Sequence, residues 1–211
     1  WGNSRSSCGG GDITAGAQVC LRYATGAYED TFEQFPSSEA IATGFGGSET
    51  LATAASFDEG LGALLTATDP NNVSTSVTYD GLGRLTSMTP PALGYTETCT
   101  RPATVLEYFL ATLDGPPVSR VHSTTYLTCG GTGPTLESWS YVDGLGKPRA
   151  SLATGDTSGV WVQSGITRLA KRGEPYAAFH NALVSASATE PAASAALVVP
   201  TDRPPSQARY D

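Results

Sequence analysis

Charge, methionine and histidine are scarce in this chain, and each shortage removes a class of explanation. Of 211 residues only 15% are charged, with twelve Lys and Arg against twenty Asp and Glu, a formal net charge of -8. A protein that grips duplex nucleic acid needs a dense cationic face to displace counterions, so nucleic acid is not expected as a partner. A single Met and few of the Lys and Glu that fill helices argue against a helical fold. The two histidines, His122 and His180, stand far apart, and the four cysteines form no Cys-x-x-Cys pair, so a structural zinc lacks a ligand set. No apolar run approaches the ~20 residues of a membrane-spanning helix. No basic stretch followed by an apolar one marks a signal peptide. Gly-x-Ser-x-Gly elbows, phosphate-binding loops and His-Glu-x-x-His helices are missing too, so no cofactor is expected.

What remains is the material of turns and hydroxylated strands: 24 glycines, 14 prolines and abundant Ser and Thr. The stretch 69–88 writes out one hairpin almost completely. Val73, Thr75, Val77 and Tyr79 alternate with Ser74, Ser76 and Thr78, so one face is β-branched and aromatic while the other is small and hydroxylated. Asp80 is placed to bond its own downstream backbone, Gly81 and Gly83 are expected to supply positive φ, and the chain returns as Arg84 to Met88. Asp69-Pro70-Asn71-Asn72 punctuates the other end.

The same words recur. Phe57-Asp58-Glu59-Gly60-Leu61-Gly62 precedes this hairpin, and Tyr141-Val142-Asp143-Gly144-Leu145-Gly146 follows it. The aspartates step by 22 (58 to 80) and by 63 (80 to 143, three times 21), a period of 21 or 22. Arg209-Tyr210-Asp211 reads as the start of a further copy, and Tyr23-Ala24-Thr25-Gly26 as a worn one whose aspartate is lost.

Tyr79-Asp80-Gly81-Leu82-Gly83-Arg84-Leu85-Thr86 resembles the tyrosine-aspartate (YD) repeat of the Rhs family. Its pattern is Tyr-Asp, two variable positions, Gly-Arg-Leu and a small polar residue. The copies at Asp58 and Asp143 are degenerate, with Ala63-Leu64 and Lys147-Pro148-Arg149 where Arg-Leu would stand. Residues 161–168 and 173–176 resemble the region just before the repeats in the B component of bacterial insecticidal toxin complexes. Together these cover roughly residues 50 to 180. The resemblance implies an all-β fold of antiparallel hairpins in a coiled sheet, one segment of a shell that closes around a toxin or effector polypeptide. It implies partners in other segments of the same or a larger polypeptide and in the enclosed toxin, and a secreted or cell-surface location. The self-cleaving aspartates of such systems find no matching stretch here, so no catalytic residue is carried over.

The expected organisation is an irregular Gly/Ser-rich lead-in over 1–17, a YD-repeat-like hairpin region over 18–183, and an Ala/Ser/Pro-rich loop over 184–211 leading to the next repeat. With no initiator Met and a repeat breaking off at the end, the chain reads as a segment of a longer protein. Cys8, Cys20, Cys99 and Cys129 are candidate disulfides, with Cys8–Cys20 and Cys99–Cys129 each stapling a local loop. Sequence allows three connectivities, and free thiols buried as small hydrophobes remain open. Residues 105–113 fit either a helix or a strand, and the turn chemistry of 114–117 favours a hairpin. Tyr176, Phe179 and Leu183 fit one face of a short helix, although the resemblance implies extended structure.

Candidate chemistry is sparse. Asp58, Asp80 and Asp143 invite a carboxylate-pair reading, but a residue repeated once per unit, with Tyr79, Tyr141, Gly81, Gly83, Gly144 and Gly146 beside it, is expected to do a turn's job. Arg84 could bind an anion, pair with an Asp or stack on Tyr79. Glu29, Asp30 and Glu33 form an acidic cluster without the spacing of a calcium loop and read as a solvated turn. Either histidine could serve as a general base, though a lone histidine is more often structural. The rival readings are an adhesive or glycan-binding module and a secreted glycan-active enzyme.

Overall fold

The computed structural model describes residues 5–14, 17–43, 49–91, 99, 101–111, 118–128, 133–169, 173–185 and 205–207. Every regular element among them is a β-strand, paired antiparallel with its neighbours. The low helix propensity of the composition therefore carries through. The chain divides into two compact units, Trp1–Ala103 with Cys129–Gly131, and Thr104–Thr128 with Thr132–Asp211.

The first unit is a meander of seven strands in chain order: β1 (Ser6–Thr14), β2 (Ala17–Tyr28), β3 (Pro36–Thr43), β4 (Glu49–Asp58), β5 (Ala63–Thr68), β6 (Ser74–Tyr79) and β7 (Leu85–Thr89). β1 lies inside the segment 1–17 that was expected to be irregular, because the Gly-rich strand acquires its ladder from β2. The worn repeat expected at Tyr23 is also corrected. Ala24 and Thr25 sit mid-strand, opposite Ile41 and Ala40, and the turn comes later, after Tyr28. One face of this unit is laced by hydroxyl contacts between paired strands. Ser56 meets Thr66 at 2.6 Å, Thr68 meets Ser74 at 2.8 Å, and Thr78 meets Ser87 at 2.7 Å. Period-two alternation places all of these on the same side, so hydroxyls bond each other across the ladder where apolar side chains would otherwise pack.

The second unit holds an aromatic core. Strands β8 (Thr104–Phe109), β9 (Ser119–Tyr126), β10 (Thr135–Val142), β11 (Pro148–Thr154) and β12 (Val160–Ser164) follow one another, and β15 (Ala182–Ser185) pairs on β12. A three-stranded sheet joins β13 (Thr167–Leu169), β14 (Pro175–Ala178) and β16 (Ser206–Gln207). Residues 104–109 thus form the first arm of a hairpin, with Tyr108 opposite Val121. The helix considered for Tyr176, Phe179 and Leu183 is not formed: these residues fall in or beside β14 and β15, whose backbone bonds are taken by other strands.

Register decides the core. Trp139 pairs with Leu152, which pairs with Gln163, and Tyr141 pairs with Ala150, so alternate residues of three strands share a face. Val118, Trp139, Tyr141, Ala150, Leu152, Trp161 and Ile166 are buried there, with Phe109, Phe179 and Val184 packed against them. The opposite face carries Ser140, Ser151 and Ser164 in one row, the last two 2.7 Å apart. In the segment 184–211, β15 ends at Ser185 and β16 spans Ser206–Gln207, while Arg209-Tyr210-Asp211 lies outside the described residues. No helix among the described residues is long and apolar enough to cross a membrane.

Leu152 is fully buried while Leu145 is 84% exposed at a turn tip. Leu152→Ala is expected to cost roughly 2–5 kcal/mol through lost burial and the cavity left behind. Leu145→Ala is expected to leave the melting temperature unchanged. Equal melting temperatures for the two variants would contradict the assigned core.

Candidate functional site

The repeated aspartates sit at hairpin tips, and three turns share one bonding pattern. Asp80 Oδ1 accepts from the backbone N–H of Leu82 (2.9 Å) and of Arg84 (3.0 Å). Asp143 Oδ1 accepts from Leu145 (2.9 Å) and Lys147 (3.0 Å) in the same way. The third member is Asp69, which takes the N–H groups of Asn71 and Val73, each at 2.9 Å. Its sequence, Asp-Pro-Asn-Asn, hides the kinship because an asparagine stands where the others have glycine. In each turn the residue three beyond the aspartate has positive φ: Asn72 at 62°, Gly83 at 75° and Gly146 at 75°. Asparagine is the non-glycine residue that tolerates this region best, so the substitution keeps the geometry.

The backbone completes the motif. Gly83 N–H donates to Asp80 C=O and Asp80 N–H donates to Arg84 C=O, a type I turn closed by a bulge. The register shifts at Thr78/Tyr79 and at Tyr141/Val142, beside these turns. Gly81, expected to supply positive φ, does not: it and Gly144 occupy ordinary turn positions, and a Cβ at either would meet nothing within 4 Å.

Two turns use a longer variant. Asp58 Oδ1 accepts from Gly60 (2.9 Å) and Leu61 (2.8 Å), and positive φ falls one residue later, at Gly62. Glu29 stands where an aspartate would be, its extra methylene reaching the N–H groups of Thr31, Phe32 and Gln34 at 2.6–2.8 Å. Glu33 then carries the positive φ, and it also meets Arg5 at 2.6 Å. The acidic cluster is thus a turn whose first carboxylate is fully engaged. Tyr28-Glu29 thus stands at the turn position that Tyr79-Asp80 holds in its hairpin.

Successive turns on one edge of the first unit also touch. A Cβ on Gly62 would lie 3.4 Å from the Phe35 ring, and one on Gly83 would lie 3.5 Å from Leu61. Each turn thus offers an apolar side chain to the bare glycine of the next. Phe35 stacks on Phe57 at 5.0 Å between ring centres, extending this contact.

The carboxylates hold their charge for identifiable reasons. The Arg84 side chain, bonded through Nε at 2.7 Å and Nη2 at 2.6 Å, is the first cause that keeps Asp80 below its ordinary 3.8. Backbone donation from Lys147 does the same for Asp143, and from Val73 for Asp69. Donation from Phe32 N–H leads for Glu29, whose ordinary value is 4.5. Arg84 therefore pairs with the turn aspartate, one of the three roles open to it from sequence.

His122 has company that sequence did not show. Its Nδ1 is 3.0 Å from Glu107 and its Nε2 3.4 Å from Glu137, and its ring stacks on Trp139 at 4.2 Å. Three adjacent strands bring these residues together through register. Both ring nitrogens are engaged, which suits a structural clasp better than a general base. His180 is exposed beside β14, far in sequence from any such partner. Cys8 and Cys99 are each disulfide-bonded. Cys129 and the side chain of Cys20 lie outside the described residues.

Residues 58–92 match the RHS repeat family. No curated protein matches the chain. Among solved structures the fold is similar to that of TcdB2-TccC3 without its hypervariable C-terminal region, with TM-score 0.58 and 13% identity. It is also similar to the Photorhabdus luminescens Tc holotoxin pore carrying a TccC3 mutation, with TM-score 0.60 and 13% identity. In each case the likeness covers 76% of this chain and 12% of the other. A further TcdB2-TccC3 structure covers 82% of this chain and 11% of its own, at TM-score 0.51 and 15% identity.

The turn geometry separates its two glycines. Gly83→Val is expected to cost roughly 1–3 kcal/mol, since a β-branched residue is strained at this φ, whereas Gly81→Ala is expected to be neutral. Thermal melts of the two variants check this, and an unchanged melt for Gly83→Val would contradict the turn. The depressed carboxylates add a pH dependence. Their contribution is complete above the ordinary values of 3.8 and 4.5 and is lost as pH falls through the lower folded values. The melting temperature is therefore expected to fall as pH drops below about 4. Asn at positions 80 and 143 is expected to flatten that acid limb, and an identical limb in the variant would show that other groups set it.

Proposed function

We propose that this chain, whose residues 58–92 match the RHS repeat, is a non-catalytic structural segment of a repeat shell that encloses a toxin or effector polypeptide for delivery. The observation that carries this reading is the turn itself. A carboxylate-anchored turn closed by a residue of positive φ recurs at Glu29, Asp58, Asp69, Asp80 and Asp143, and along one edge of the first unit the turns at 29–35, 58–62 and 80–83 lean on one another. Such a unit adds strands indefinitely, because one hairpin buries only one face and must be completed by its neighbour.

The partners are then the other strands of the same or a larger polypeptide, together with the enclosed segment, and the site of action is outside the producing cell. Fold similarity to TcdB2-TccC3 supports the architecture. The turn carboxylates are committed to backbone amides rather than to one another, which is unlike a glycosidase pair. Trp139, Tyr141 and Trp161 face the interior rather than forming the exposed strip an adhesin would present.

The test is limited proteolysis of the native polypeptide. The expected result is a polypeptide far longer than 211 residues, containing a segment that resists protease until the shell is denatured. A native chain of this length alone, or a segment cut equally fast before and after denaturation, would overturn the proposal.

A further inference from the structure

The cysteines carry a connectivity that differs from the local pairing expected of their spacing, independently of the shell reading. Cys8 is disulfide-bonded. It lies in β1, directly opposite Tyr23 of β2, while Cys20 in β2 lies opposite Gly11. The two cysteines are thus displaced by three ladder positions, and the register between Ser6 and Thr14 shows no bulge that would bring them level. Three positions along a strand span roughly 10 Å, and the step between strands adds about 5 Å across. The separation of the two Cα atoms is therefore about 11 Å, against an upper limit of about 7 Å for a disulfide. Cys8 and Cys20 cannot bridge without dismantling the hairpin that contains them.

We infer that Cys8 is bridged to one of the cysteines that follow β7, Cys99 or Cys129. Cys99 is itself bonded and buried, and Cys99 and Cys129 both belong to the first unit, as do Cys8 and Cys20. With four cysteines, excluding the Cys8–Cys20 bridge leaves two arrangements, and both tie the β1–β2 hairpin to the chain beyond β7. The bridges therefore clasp the first unit across its whole length rather than stapling small loops. Long closed loops also constrain the unfolded chain more than short ones.

Each bridge forms by thiol–disulfide exchange with a disulfide oxidant. The two protein thiols give up two protons and two electrons, and the oxidant is reduced to its thiols. The clasp persists in an oxidising compartment and opens in a reducing one, which frees β1 to detach from the far end of the unit.

Tryptic mapping of the unreduced, alkylated chain tests this directly. Cleavage after Arg5 and Arg22 leaves Cys8 and Cys20 together in peptide Ser6–Arg22. The expected result is that this peptide is absent on its own and appears joined both to the peptide that carries Cys99 and to the one that carries Cys129, released by reduction. Finding Ser6–Arg22 alone with the mass of two hydrogens missing, or with both cysteines alkylated before reduction, would overturn the inference. Cys20→Ser gives a second reading. The Cys8 bridge is expected to survive in that variant, and a free, alkylated Cys8 would restore the local pairing.

Discussion

A carboxylate oxygen accepting two backbone N–H groups across a tight turn is the interaction on which this fold depends. A hairpin tip must turn the chain through a residue in the left-handed region, and its N–H groups point away from any ladder. Asp69, Asp80 and Asp143 collect those donors, and the residue three positions on absorbs the conformational demand. Because the bulge that closes the turn also sets which residue faces its neighbour, the turn determines the register of the strands it joins. Every later feature, from the hydroxyl contacts to the buried tryptophans, inherits that register.

The two units use the same hairpin with different filling. In the first, hydroxyls meet across the strands and few side chains are deeply buried. Ala42, Val73 and Cys99 are the buried apolar residues among those described. Covalent ties then matter more, since hydroxyl pairs offer little net stabilisation beyond the water contacts they replace. In the second, Trp139, Tyr141, Leu152 and Trp161 supply the apolar area, and Arg120 lies over the Phe109 ring at 4.7 Å. His122, held by Glu107 and Glu137, marks the border of that core.

The turns were legible because their chemistry is local. Asp80 and its acceptor bonds span five residues, so spacing alone exposed them, as it exposed Asp143. The turn at Asp69-Pro70-Asn71-Asn72 was legible, but its kinship with the turns at Asp80 and Asp143 was not, because asparagine stands where they have glycine. Glu29 escaped because one more methylene moves the same bonds to other spacings. The error at Gly81 has a similar origin. Two glycines flank each turn leucine, only the second is conformationally required, and composition cannot say which.

By itself the sequence determined the all-β character and the turn carboxylates Asp58, Asp80 and Asp143, since these follow from dihedral preference and hydrogen bonds within a few residues. The step of 21 read between Asp80 and Asp143 does not hold, because it would put a turn at His122, which lies inside β9. Only the tertiary structure decided which strands pair, which tryptophans are buried, that His122 stands between two glutamates, and that Cys8 lies opposite Tyr23 rather than near Cys20. Those outcomes depend on registers summed along many strands, where a one-residue bulge exchanges the two faces of everything that follows.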